Sequence, residues 1–277
     1  HAVAKAGTLE LMNHKAVSLI LIAGVPTMLD AASKAGKPVI YGGTGNGPVF
    51  VERTADIPKA VHDIVISKTF DNGVVTGGEQ SVVVDGVIAE QVKQELQRAG
   101  AYFMTEEEAD RLGRILFRED GKTDAEMAGK SAKYLARLAR IQVPDNTVLL
   151  ISEQKYVSEK NPYSREKLCP VLAYYVEDDW MHACEKCIEL LLSERRGHTL
   201  TIHSQDEAVI EQFALKKPVA RILVNTPATF GALGITTNLF PAMTLGSGSA
   251  GRGSTSDNVS PMNLIYIRKV DYGVRQV

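Results

Sequence analysis

The chain has 277 residues, 44% of them hydrophobic and 23% charged, with a formal net charge of −2. That length leaves room for two domains or one large one with a sizeable core. The charge balance offers no basic patch for nucleic acid, and no apolar run reaches the length of a membrane span.

In chain order, residues 9–12 close a helix. Residues 16–23 are an apolar, β-rich run of strand length, predicted to be buried on both faces as in a parallel sheet. Gly24-Val25-Pro26-Thr27 is a turn, and residues 28–35 form a helix ended by Gly36. Strands at 38–41 and 49–51 flank the stretch Gly42-Gly43-Thr44-Gly45-Asn46-Gly47-Pro48. Asp56 caps a helix over about 57–67, whose apolar Ile57, Ala60, Val61, Ile64 and Val65 recur at helical spacing. Residues 9–68 thus fit part of a doubly wound nucleotide-binding domain. A buried-looking strand at 81–85 leads into a helix over 88–99. The polar region 105–130 predicts two short surface helices, and 131–140 an amphipathic one. Strands at 148–151, 171–176, 199–203 and 221–225 alternate with helices at 179–196 and 206–214, the pattern of an α/β fold. Residues 231–253 are rich in Gly, Ser and Thr and can approach a ligand closely. Residues 263–274 alternate and predict a terminal strand with no neighbour in sequence, suited to pairing with another subunit.

Few side chains suggest chemistry unaided. A phosphate-binding turn needs small residues so that backbone N–H groups reach the pyrophosphate at a helix N-terminus. At 23–27 only Gly24 offers that freedom, and a plain βα turn accounts for it without a ligand. The glycines at 42–47 are more numerous but lie between strands, which fits a flexible loop as well as a ligand contact. Cys184 and Cys187 form a Cys-x-x-Cys on a predicted helix, with no second pair or spaced histidine to complete a zinc set, so they are expected in the core. Cys169, before Pro170, is expected to be structural. Three cysteines make no disulfide framework and point to a reducing, cytosolic setting. The chain starts at His1, without an initiator Met or a secretory signal, which predicts a piece of a longer protein. His198 follows Gly197 at a strand entrance, where a histidine is either structural or an acid/base group.

The run Ser67-Lys68-Thr69-Phe70-Asp71-Asn72-Gly73, followed by Glu79-Gln80-Ser81, resembles the active-site loop of the CoA-acylating aldehyde dehydrogenases. These include the aldehyde half of bifunctional aldehyde–alcohol dehydrogenases and enzymes of bacterial microcompartments. The similarity continues through Lys37-Pro38, Gly43-Thr44-Gly45-Asn46, Arg165-Glu166-Lys167-Leu168, Gly197-His198-Thr199, Arg221 to Pro227, Thr244-Leu245-Gly246, and Asn258-Val259 with Pro261. The resemblance implies an aldehyde dehydrogenase-like α/β fold. Its parts would be a partial nucleotide-binding domain (1–68), a catalytic-type domain (69–255) and a C-terminal segment with an oligomerisation strand (256–277). It implies NAD and coenzyme A as cofactors, a short aldehyde as substrate, a homo- or hetero-oligomer, and a cytoplasmic or microcompartment setting. It places Thr76 at the nucleophile position, His198 at the histidine of the acylation step, and Gly24, Gly43, Gly45 and Asn46 against the cofactor.

In that family a cysteine thiolate attacks the aldehyde, hydride passes to NAD, and CoA takes the acyl group from the thioester. Here the position holds Thr76, followed by Gly77 and Gly78. A hydroxyl is a far weaker nucleophile than a thiolate at neutral pH. Val25 and Thr27 stand at glycine positions of the family's turn, Ser247 at a cysteine and Arg252 at a glycine. The family's first half, with an asparagine that stabilises the oxyanion, lies outside this sequence. Two readings follow: a non-catalytic aldehyde dehydrogenase-like subunit or fragment, or part of an acylating enzyme whose other half and nucleophile come from elsewhere.

Overall fold

A computed structural model describes residues 2–23, 26–118, 123–158, 160–193, 197–251 and 253–275. Gly24, Val25 and Arg252, singled out by sequence, lie outside the described residues.

The first unit is small. Helix α1 (Ala2–Asn13), strand β1 (Ile20–Ala23), helix α2 (Leu29–Lys34) and strand β2 (Val39–Gly42) form a two-stranded parallel sheet under a short helical layer. Gly36, at φ +67°, ends the α2 turn as expected. The prediction for β1 needs correction. Ile20 and Ile22 are buried with Met12, Leu29, Ala32 and Tyr41, but Leu21 is 48% exposed. Only one face of this two-stranded sheet is covered, so period-two alternation replaces burial on both faces.

The second unit is a seven-stranded, all-parallel sheet in the order β5-β6-β7-β4-β3-β8-β9. Its strands are β3 (Pro48–Val51), β4 (Ser81–Asp85), β5 (Ala101–Phe103), β6 (Leu149–Glu153), β7 (Val171–Glu177), β8 (Thr199–His203) and β9 (Arg221–Val224). Pro48–Val51 and the helix after it, read by sequence with the first unit, belong here: β3 pairs with both β4 and β8. The cause is visible in composition, since Val49, Phe50 and Val51 are all fully buried and need layers on both sides.

Helices α3 (Ile57–Thr69) and α4 (Ala89–Arg98) cover one face, packing Ile57, Val61, Ile64, Val92 and Leu96 onto Val49, Val82, Val84 and Leu172. Helices α5 (Glu106–Leu116), α6 (Ala132–Leu138), α7 (Trp180–Ser193) and α8 (Glu207–Lys216) cover the other, around Phe50, Val83, Leu150 and Tyr175. Caps fix the helix starts. Asp56 accepts from Lys59 N–H at 3.2 Å, and Asp206 from Ala208 N–H at 2.9 Å. Cys169, Cys184 and Cys187 are buried, as expected.

One further expectation fails. Among its described residues, region 105–130 holds one eleven-residue helix, not two surface ones; its Ala109, Leu112 and Leu116 are buried. The acidic first turn, Glu106 to Glu108, is the amino-terminal charge a helix dipole favours, and Thr105 and Glu108 form a capping box. At the C-terminus, residues 265–275 form no strand within this chain. After a short 3-10 turn (Pro261–Leu264) the segment runs with Ile265, Tyr266, Ile267, Val270 and Tyr272 exposed. Among the described residues it pairs with no strand.

Leu112 is wholly buried between α5 and the sheet, whereas Leu138, on α6, is 40% exposed. Leu112→Ala is expected to lower unfolding free energy by about 2–5 kcal/mol in urea titration, and Leu138→Ala by well under about 1 kcal/mol.

Candidate functional site

Strands β7, β4, β3 and β8 are neighbours and run parallel, so the segments entering them meet at one edge of the sheet. Those segments are 164–170, 74–80, 43–47 and 197–198. Residues distant in sequence are thereby brought together: Gly45, Thr76 and His198. A Cβ at Gly45 would stand 2.3 Å from Thr76 O and 3.0 Å from His198 Cβ, so only glycine lets these backbones close. A Cβ at Gly77 would stand 3.0 Å from Ala232 Cβ, with His198 Cε1 at 3.7 Å.

The loop carrying Thr76 owes its shape to the residues before it. Asp71 (φ +46°), Asn72 (φ +48°) and Gly73 (φ +76°) occupy the left-handed region in succession. Asp, Asn and Gly are the residue types that tolerate it. Gly73 packs against the Cys169 carbonyl. Further on, Gly78 N–H donates to Val75 O at 3.0 Å and Gln80 N–H to Gly47 O at 2.8 Å, tying the loop to the glycine stretch. Thr76 itself is half-buried.

His198 is fully buried. Its Nδ1 lies 2.8 Å from Thr199 Oγ1, and its Nε2 has no hydrogen-bond partner among the described residues. Burial, helped by the positive charge of Arg221, pushes its pKa down to about 3, against the opposing effect of the Leu245 backbone. The ring is therefore neutral at physiological pH. Arg221 is held by Gly246 O (2.9 Å), Ser256 O (3.0 Å) and Asn258 Oδ1 (3.2 Å), which folds the 246–258 segment over the edge.

A polar network behind the loop escaped sequence reading. Lys68 and Lys167 are both buried. Lys68 Nζ donates to Gln80 Oε1 (3.1 Å) and Lys167 O (2.9 Å); Lys167 Nζ donates to Tyr163 O (2.7 Å) and to Arg165 O. Gln80 Oε1 also accepts from Lys167 N–H at 2.7 Å. Burial lowers the Lys68 pKa to about 8, opposed by Cys169, Glu79 and Glu166. Burial raises that of Glu79 to about 7, opposed by the Ser67 hydroxyl and Ala228 N–H that bond to it and by Lys68. Glu79 thus anchors helix α9 (Ala228–Ala232), and Thr229 N–H donates to Ser67 Oγ at 2.9 Å. Charged side chains read in sequence as surface; these are buried because several segments supply their oxygens and N–H groups. Glu166 is also buried, and its Oε1 accepts from Gly45 N–H at 2.9 Å.

The cofactor-side expectations fall out unevenly. Gly24 lies outside the described residues. Gly43 faces Ser247, whose Oγ would be 2.4 Å from a Cβ there, and Gly47 faces Thr199 O at 2.3 Å. Asn46 is turned inward, donating to Ser164 O (2.7 Å) and Leu190 O (3.0 Å), with its Oδ1 unpartnered among the described residues. These glycines are explained by close packing of the chain on itself.

No family model matches the chain. The aldehyde-alcohol dehydrogenase of Streptococcus pneumoniae is 38% identical over 272 residues, 95% of this chain and 31% of that protein. A probable aldehyde dehydrogenase from Listeria monocytogenes is 48% identical with a TM-score of 0.93, covering 98% of this chain and 60% of that one. An acetylating aldehyde dehydrogenase from Geobacillus thermoglucosidasius is 42% identical, also with a TM-score of 0.93 and the same coverage. The chain thus spans about a third of the curated relative and 60% of these two solved structures.

The depressed pKa of His198 has a pH signature. The folded ring loses its proton near pH 3, and an unfolded one near 6.5. Between those values the unfolded chain binds more protons, so stability rises with pH across the window and this contribution levels off above 6.5. Its slope is at most about 1.4 kcal/mol per pH unit. His203, buried and pushed down to about 4, acts in the same direction. Urea midpoints taken from pH 4 to 7 are expected to rise, less steeply in His198→Asn; an unchanged slope in that variant would mean the folded ring carries its charge.

Proposed function

The chain belongs, over part of their length, to the acylating aldehyde dehydrogenases, and we propose that it supplies the acyl-transfer edge of that scaffold without the thiol that drives the reaction. In this reading it is an aldehyde dehydrogenase-like subunit that does not turn over by itself. The observation that carries the reading is the state of the nucleophile position. By resemblance Thr76 holds it, and the neutral His198 imidazole leaves its Nε2 without a hydrogen-bond partner among the described residues. A hydroxyl nucleophile needs such a base in contact. No thiol substitutes, since Cys169, Cys184 and Cys187 are buried. Burial pushes the Cys169 thiol up to about 11 despite Lys68 and Lys167, and that of Cys187 up to about 12. Both stay protonated at neutral pH, and a protonated thiol is a poor nucleophile.

NAD and CoA enter through the family, where they supply hydride acceptance and the acyl acceptor. What this chain contributes is a fixed loop, a neutral buried imidazole and the carboxylate of Glu166. The exposed apolar segment 265–275 is, in the same reading, the edge by which the subunit joins another.

Two measurements test this. Incubation with a short acyl-CoA, followed by intact-mass and peptide analysis, is expected to leave residue 76 unmodified and to acylate it in Thr76→Cys. Aldehyde-, CoA- and NAD-dependent NADH formation should be lower in the unaltered protein by about 10⁴-fold or more than in a full-length assembly carrying Thr76→Cys. An acyl adduct on Thr76, or turnover that survives thiol-blocking reagents, overturns the reading. Separately, removing residues 262–277 is expected to shift the sedimentation coefficient to that of a smaller species; an unchanged value excludes this segment from assembly.

A further inference from the structure

The Cys-x-x-Cys on α7 lies outside the cleft, and one of its thiols has a partner that sequence spacing does not reveal. Lys217, just after α8, places its Nζ 2.6 Å from Cys184 Sγ, 33 residues away in the chain. Ordinary N–H···O bonds are about 2.7–3.2 Å, and sulfur is larger than oxygen, so this contact is close. The ammonium is held in place by a second contact, 4.0 Å above the Phe213 ring, and Phe213 stacks in turn on Phe50 of the central sheet. Cys184 is 6% exposed and Lys217 half-buried. Cys187, one helical turn on, is completely buried.

We propose that Cys184 and Lys217 form an oxidative cross-link, a sulfenamide, in response to hydrogen peroxide. In the first step the Cys184 sulfur attacks one peroxide oxygen. The O–O bond breaks, an S–O bond forms, and the thiol and peroxide become a sulfenic acid and water. In the second step Lys217 gives its ammonium proton to solvent, and the lone pair of the resulting amine displaces hydroxide from that sulfur. The S–N bond forms, the S–O bond breaks, and hydroxide leaves as water with one proton from nitrogen. The sum is thiol, ammonium and hydrogen peroxide giving sulfenamide, two waters and one proton. Sulfur supplies the two electrons and peroxide accepts them.

The link would join two supports of the cleft. Helix α7 provides Leu190 O to the Asn46 side chain. Pro218, next to Lys217, presses its carbonyl against Gly197, where a Cβ would be only 1.8 Å away, and Gly197 precedes His198. Oxidation at the back of the sheet would thus lock the chain behind both Asn46 and His198.

The test exposes the intact protein to graded hydrogen peroxide and maps its peptides. The expected product joins the peptides of residues 184 and 217, lighter by two hydrogens than the uncoupled pair. Dithiothreitol is expected to part the two peptides again. The product should persist in Cys187→Ser and vanish in Cys184→Ser and Lys217→Arg, the latter keeping a positive charge over Phe213. The melting temperature of the unaltered protein should rise on oxidation by about 5 °C or more, with no rise in Lys217→Arg. Met243, 77% exposed, reports that oxidant has reached the protein. A Cys184–Cys187 disulfide, a Cys184 sulfinic or sulfonic acid without a link, or an untouched Cys184 when Met243 is oxidised would each overturn the proposal.

Discussion

Two ammonium groups lie buried behind the cleft, and the arrangement of the edge depends on how they are satisfied. An isolated charge in a protein interior costs several kcal/mol unless oxygens replace its water. Lys68 finds Gln80 Oε1 and the Lys167 carbonyl; Lys167 finds the carbonyls of Tyr163 and Arg165. These oxygens belong to two separate stretches and Lys68 to a third, so the end of α3, the entrance to β4 and the approach to β7 cannot move independently. The Thr76 loop hangs between the first two. Its geometry is therefore held from behind by charge solvation and from the front by backbone contact at Gly45.

Electrostatics and chemistry diverge at this edge. The scaffold keeps a neutral imidazole, a buried carboxylate next to a backbone N–H, and a glycine that admits no substitute. These are the parts of a site in which a reacting group is positioned rather than solvated. In the proposed reading covalent chemistry would start at Thr76, a hydroxyl to which His198 Nε2 makes no hydrogen bond. Positioning and reactivity are separable in a protein, and on that reading the first is retained where the second is weakened.

Much of the fold was legible because its strands alternate with capped helices. Asp56, Ser131 and Asp206 each cap the helix that follows. The loop was legible through Asp71-Asn72-Gly73, whose residue types suit the left-handed turn. Three features stayed hidden for physical reasons. Strand β5 has three residues, too few for a period to show. Helix α5 hides its buried face behind an acidic first turn that looks like solvent-exposed sequence. The Lys68, Glu79 and Lys167 cluster looks like surface charge, because nothing local reveals that distant carbonyls will surround it. Glu166 stood within the recognised run 165–168 without being singled out, since its contact with Gly45 exists only once β3 and β7 have joined the same sheet.

The order of strands in the large sheet bears on how the chain is made. β3 and β4 are synthesised early and sit at the centre, yet their flanking partners β7 and β8 come much later. Until those arrive, both outer edges of an almost wholly apolar strand pair stay open. Such pairings across long stretches of chain form slowly, and unpaired central strands are prone to stick to one another. The nascent chain must therefore pass through a period in which its future core is an aggregation hazard. Only the docking of β8, which delivers His198, closes that edge.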